Sequence, residues 1–87
     1  MKTIWKFHLI VETNQRFTIP RGARFLSVQG QHDEIVMWWL VDPRQPPESR
    51  RFSVYGTGHD MPDNPGAYLG TVQTDGGGFV WHAFEVS

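Results

Sequence analysis

Eighty-seven residues, a formal net charge of −1 and no cysteine describe a single small domain, 1–87, whose one core rests on apolar burial alone, with neither a disulfide nor a thiolate metal site to add to it. The balanced charge excludes a general nucleic-acid binder, which concentrates Lys and Arg against phosphate, and equally an acidic nucleic-acid mimic. No apolar run reaches the roughly 18–20 residues needed to cross a bilayer, and Met1–Lys6 lacks the apolar stretch of a signal peptide, so a cytoplasmic protein without a membrane partner is expected.

Period-two alternation dominates the chain, and no segment sustains a helical repeat. From Ile4 to Val11, Trp5, Phe7, Leu9 and Val11 share one face while Lys6 and His8 lie on the other, as in a half-buried strand. Arg16–Ile19 is a second short strand, stopped by Pro20 and Gly22. In Arg24–Gln29 the alternation puts Leu26 and Val28 on one face and Phe25 and Ser27 on the other. Gly30–Asp33 reads as a hairpin turn.

Glu34–Val41 is apolar on both faces: Ile35, Met37, Trp39 and Val41 point one way, Val36, Trp38 and Leu40 the other. Such a strand is either covered on both sides or leaves an apolar patch, so Trp38 or Trp39 is expected to face outward, and a homodimer is an economical cover. The three prolines of Asp42–Glu48 exclude that segment from a central ladder. Arg51–Thr57, Tyr68–Thr74 and Phe79–Val86 complete the strands, with Asp75–Gly78 as a turn. Six or seven short strands with regular turn signals indicate an all-β antiparallel sandwich or partly closed barrel. Trp5, Phe7, Leu9, Leu26, Val28, Val54 and Phe84 are the expected core.

The segment from Gly56 to Gly66 is the densest in special residues. Gly56 and Gly58 admit backbone angles closed to other residues, and Pro62 and Pro65 fix φ. His59, Asp60 and Asp63 supply titratable groups, and rigidly held loops are where binding concentrates. His59 with Asp60 has the chemistry of a base and its orienting carboxylate, but no cysteine exists and no serine lies in a nucleophile-elbow pattern. His59 is therefore expected to bond backbone within the loop, and Asp60 and Asp63 to cap turns.

The four histidines have no paired-ligand spacing, although His8 and His82, on the first and last strands, would be neighbours in a closed sheet. Gly76–Gly78 does not open onto a helix, as a phosphate loop does, and reads as a hairpin turn. No metal or cofactor is expected.

Four tryptophans, six phenylalanines and two tyrosines are more than a core this small needs. Tryptophan, tyrosine and arginine are the side chains most enriched at binding hot spots. Trp38 or Trp39, Tyr55, Tyr68 and Trp81, with Arg50 or Arg51 at the edge and His59 and Asp60 in the adjoining loop, are the candidate contact residues.

The opening MKTIWKFHLIV, the VDP at Val41–Pro43, the run RRFSVYGTGHDMPDNPGAYLGTVQ and the close FVWHAFEVS resemble a family of short proteins of tailed phages and prophages that carry a domain of unassigned function. The YGTGH-x-x-P segment is the most distinctive part, and the resemblance spans nearly the whole chain. It implies a phage origin and transfers no activity to individual residues. Short non-enzymatic phage proteins are often counter-defence factors, so the expected role is inhibition of a host defence protein or complex in the host cytoplasm, an anti-CRISPR first, through a protein surface. A second reading is sequestration of a nucleotide second messenger near Gly56–Gly66, with Tyr55 or Tyr68 stacking the base and Arg51 pairing phosphate. A small phage structural or regulatory protein is a third, and a hydrolase built on His59 and Asp60 ranks last.

Overall fold

The computed structural model describes residues 1–87 as seven strands: β1 (Thr3–Leu9), β2 (Gln15–Pro20), β3 (Arg24–Gln31), β4 (Glu34–Val41), β5 (Pro47–Gly56), β6 (Ala67–Thr74) and β7 (Phe79–Val86). Two antiparallel sheets, β1-β4-β3 and β2-β5-β7-β6, pack face to face as a sandwich. No helix is long and apolar enough to cross a membrane.

Alternation decides what lies between the sheets. Ile35, Met37, Trp39 and Val41 of β4 point inward and meet Phe52 and Val54 of β5, Ala83 of β7 and Val72 of β6. A chain of aromatic rings, Trp5–Phe7–Phe17–Phe52–Trp39–Phe25, runs through this layer with successive centroids 5.4–6.4 Å apart. The tilted and edge-to-face angles are those that aromatic quadrupoles favour. Half of the chain's aromatic residues are accounted for in this way.

Leu9 and Val54 are core residues, and Phe7 and Val28 pack against the core from partly buried positions. Three other expectations are corrected. A bulge between Phe25 and Ser27 inserts Leu26 as an unpaired residue, so Phe25 and Val28 both face inward and Leu26 is 46% exposed. Trp5 points inward but sits on an edge strand, where no neighbour covers its flank, and it remains exposed. Phe84 faces the opposite side of its sheet from Ala83 and packs between Tyr55 and Tyr68.

On β4, Trp38 is the outward tryptophan and Trp39 the inward one. The outward face is laid over with polar chains: Lys6 Nζ donates to Gln31 Oε1 across β4, and His8 Nδ1 lies 3.2 Å from Glu34. Val36, between its partners His8 and Gln29, is fully buried.

Boundaries move for local reasons. The first strand ends at Leu9, because Gln15 turns back to bond both the N–H and the carbonyl of Ile10; Val11 lies beyond it, exposed. The β3–β4 hairpin closes on two residues, His32 and Asp33, both at positive φ, the geometry a tight primed turn demands. Pro47 is the first residue of β5, opposite Pro20 at the end of β2; β7 pairs with β5 only from Arg51 onward, so no ladder bond is needed from the proline nitrogen. His8 and His82 lie on different sheets.

Along one flank the sheets meet through glycine. A Cβ on Gly30 of β3 would stand 2.6 Å from the Gln73 carbonyl of β6, and one on Gly70 would stand 2.5 Å from Val28. At one end of the sandwich, Arg50 and Glu85 face inward as an ion pair, its second contact (Nη2 to Oε1) at 2.8 Å. Arg50 also donates to the Ala23 carbonyl and stacks over the Trp39 ring at 4.5 Å. The Trp39 indole N–H beneath it is buried without an acceptor.

Candidate functional site

The outer face of the four-stranded sheet gathers what the sequence scattered. Arg51, Ser53 and Tyr55 of β5 stand opposite Val86, Phe84 and His82 of β7, and Phe84 and His82 in turn stand opposite Tyr68 and Thr71 of β6. In a regular strand residues three apart point to opposite faces. The bulge between Tyr68 and Gly70 absorbs one residue, Leu69, into the core side and returns Thr71 to the same face as Tyr68.

That shift builds a hydrogen-bonded chain. The Tyr68 hydroxyl contacts Thr71 Oγ1, Thr71 Oγ1 lies 2.9 Å from His82 Nδ1, and His82 Nε2 lies 2.7 Å from Thr57 Oγ1. A neutral imidazole donates through one nitrogen and accepts at the other, so the ring is fixed in orientation by both threonines. Beside it the Phe84 ring lies between Tyr55, at 6.0 Å, and Tyr68, at 5.4 Å. Tyr68 is 59% exposed, whereas Tyr55 is buried. The result is one large aromatic side chain held in place from below and from the side, yet open to solvent.

Arg51 borders this platform. Its cross-strand partner is Arg16, a like-charge pairing that disfavours the bare sheet. Arg16 finds only Ser49 Oγ, at 3.5 Å, and Arg51 has no ion-pair partner. The two line an open cleft of about 370 Å3 with Ser49, Val86 and the Arg50–Glu85 pair. Glu85 holds the Arg50 guanidinium above its ordinary pKa through their hydrogen bonds.

The loop of residues 57–66 begins with a turn in which the His59 N–H bonds the Gly56 carbonyl and Gly58 has φ +88°, a left-handed third position that glycine meets at little cost. His59 Nδ1 accepts the Gly56 N–H at 3.3 Å, the backbone bond expected of it, and its ring lies 6.5 Å from Trp81. Asp60 and Asp63 are exposed.

β5 and β6 flank β7 and run parallel, so this loop must recross β7. It leaves opposite Trp81 and rejoins opposite Glu85, a return of about 13 Å along the sheet at strand rise. Passage around the β6–β7 hairpin and back up the far edge would exceed the roughly 33 Å that its length allows. The inner face is filled by the other sheet, which leaves the outer face as the route. Gly66 ends the passage flat against β7: a Cβ there would meet the Glu85 carbonyl at 2.1 Å.

Of the candidate residues, Arg51, Tyr55 and Tyr68 therefore share a face. Trp38 lies on the outer side of the other sheet, Trp39 is 1% exposed in the core, and Arg50 is turned inward. Trp81 and His59 meet at the open end of the sandwich, and Trp81 there borders a cleft of about 290 Å3 with Leu9, Ile35 and Thr74. No three His, Asp or Glu side chains converge anywhere in the molecule.

A family model described as a domain of unknown function, DUF7352, matches residues 1–87. The chain belongs to this family. No curated protein and no solved structure matches it. The residues of this face that sequence reading missed are Thr57, Thr71, His82, Phe84 and Arg16. The alternation of FVWHAFEV puts His82 and Phe84 on one side of a strand. Which side is the outer one depends on its partners, and no local signal carries that information.

Proposed function

We propose that this is a non-enzymatic binding protein that inhibits a host defence system by occupying a protein surface, with the outer face of the four-stranded sheet as its contact. The observation that carries the reading is Tyr68: a solvent-open tyrosine immobilised by Phe84 and by the Thr71–His82–Thr57 chain. A large ring whose rotamer entropy is already lost binds at lower cost, and tyrosine with neighbouring arginine is the usual composition of a hot spot. The resemblance to short phage proteins supplies the partner class, a component of a host defence complex, with a CRISPR–Cas effector the first to test.

The experiment is capture of the tagged protein from lysate of the host, with co-eluting proteins identified by mass spectrometry. Tyr68→Ala and Arg51→Glu should each abolish co-elution of a stoichiometric defence subunit with little change in melting temperature, since both side chains lie on the outer face. If both variants retain it, the contact lies elsewhere. If no defence component co-elutes, the inhibitory role is refuted.

One observation favours a second reading, a nucleotide sponge. Tyr68 and Arg51 share the face two strands apart, roughly 12 Å by strand spacing and rise, and the cleft beside Arg51 holds a second arginine. A base on Tyr68 and a phosphate on the arginines would give a ligand-dependent rise in melting temperature across a nucleotide library. A protein-surface inhibitor would give none.

A further inference from the structure

Four strands lie at sheet edges: β1 and β3 in one sheet, β2 and β6 in the other. Three are blunted in the ways that protect natural edges. β3 and β6 each carry a bulge and abut one another through Gly30 and Gly70, while β2 ends in Pro20. β1 has none of these protections. Its register with β4 runs unbroken from Thr3 to Leu9, without proline or glycine, and Ile4 and Trp5 are exposed. Its one lysine, Lys6, reaches Gln31 through an exposed hydrogen bond, for which a strand laid on the open edge would compete.

We propose that β1 is a strand-addition site for an extended segment of a partner protein in which acidic and apolar residues alternate. A strand laid beside β1 would satisfy its open backbone groups as an additional sheet strand. Side chains on its inner side would meet Trp5 and Phe7, the latter already packed on Phe17 of β2 at 5.4 Å. Those on its outer side would meet Ile4, Lys6 and His8, with Lys2 just beyond the strand.

Charge argues against a second copy as the occupant. A two-fold axis normal to a continuous antiparallel sheet must fall on a residue, because facing residues share a side. Centred on Ile4 it opposes Lys2 to Lys6, on Trp5 Lys2 to His8, on Lys6 two copies of Lys6, and on Phe7 Lys6 to His8. The registers centred on Ile4 and Lys6 thus set two lysines together, which is unfavourable directly across a sheet. Those on Trp5 and Phe7 set a lysine against a histidine, that on His8 two histidines, and those on Thr3 or Leu9 pair no other residue of the strand. A partner with carboxylates at alternate positions meets Lys2 and Lys6 favourably. These residues are distinct from the Tyr68 face, so this surface stands or falls separately.

The test uses the intact protein and a capped, fluorescein-labelled heptapeptide of alternating valine and glutamate, with a valine–lysine peptide as its counterpart. Saturable anisotropy with the glutamate peptide is expected, with amide shifts and exchange protection confined to β1 and unaffected by Tyr68→Ala. Lys6→Glu should weaken the glutamate peptide about fivefold and favour the lysine peptide; Lys2→Glu, outside the strand, gives a second reversal should the first disturb folding. Equal affinity for the two peptides, no saturable binding, shifts outside β1, or a dimer whose β1 amides are already protected would each overturn the proposal.

Discussion

Replacing Arg50 separates a structural arginine from a surface one. The side chains of Arg50 and Glu85 are 21% and 20% exposed, and the guanidinium makes two contacts with the carboxylate, one with the Ala23 carbonyl and one with the Trp39 ring. Arg50→Ala leaves Glu85 inward-facing and unpaired, a change that costs about 3 kcal/mol when the pair is largely buried. For a domain this size that is a fall in melting temperature of roughly 12–24 °C. Arg50→Met with Glu85→Leu removes both charges while keeping volume, and should return to within about 1 kcal/mol of the parent. Urea denaturation of the parent, both single variants and the double variant completes the cycle. A single-variant cost below about 1 kcal/mol would show Arg50 to be a solvated surface group and refute the inward ion pair.

Trp39→Ala should cost about 3–5 kcal/mol through the cavity it leaves, so any loss of binding in that variant reports unfolding; Trp38→Ala, on the outer face, should leave the denaturation midpoint nearly unchanged. Gly66→Ala places a methyl group against the Glu85 carbonyl at a φ of +104° and should destabilise by about 1–3 kcal/mol, whereas the same change at Gly58 meets no atom within 4 Å and costs only its backbone strain, so a larger effect at Gly58 would contradict the loop's passage over β7. Hydrogen bonds from the Arg44 side chain and backbone hold the Asp42 carboxyl far below the usual carboxylate range. A depressed folded-state pKa stabilises above the ordinary carboxylate value and is lost as pH falls through the folded one; carboxyl carbon shifts should show Asp42 still ionised at pH 3, and Arg44→Ala should restore ordinary titration.

Strand content and sheet architecture were legible because alternation survives in almost every segment and the turn residues separate them. The errors fall where one residue breaks the period. Strict alternation along β3 puts Leu26 inside; the bulge turns it out, and a bulge is set by the partner strand as much as by the sequence. The bulge after Tyr68 has the larger effect, for it alone brings Thr71 to the tyrosine's side. Arg50 and Arg51, adjacent in sequence, look alike in composition, and only alternation against β7 turns one into the core and the other to solvent. Trp38 and Trp39 divide in the same way. Tyr55 and Tyr68 stand out in the sequence as aromatic residues flanking a special loop; their shared face follows from β7 inserting between their strands, a long-range pairing with no local mark.

The glycine contacts of Gly30 and Gly70 make one flank of the sandwich a spine and leave the other, where β1 and β2 end the two sheets, as the fore-edge of a book. Separating the sheets at the spine would pull apart backbone already in contact. At the fore-edge the strands themselves meet only through side chains, chiefly Phe7 on Phe17, and through the short connection of residues 10–14 at one end. Breathing of the domain is thus directed to one side, and amide exchange should be slowest along β3 and β6 and fastest along β1 and β2.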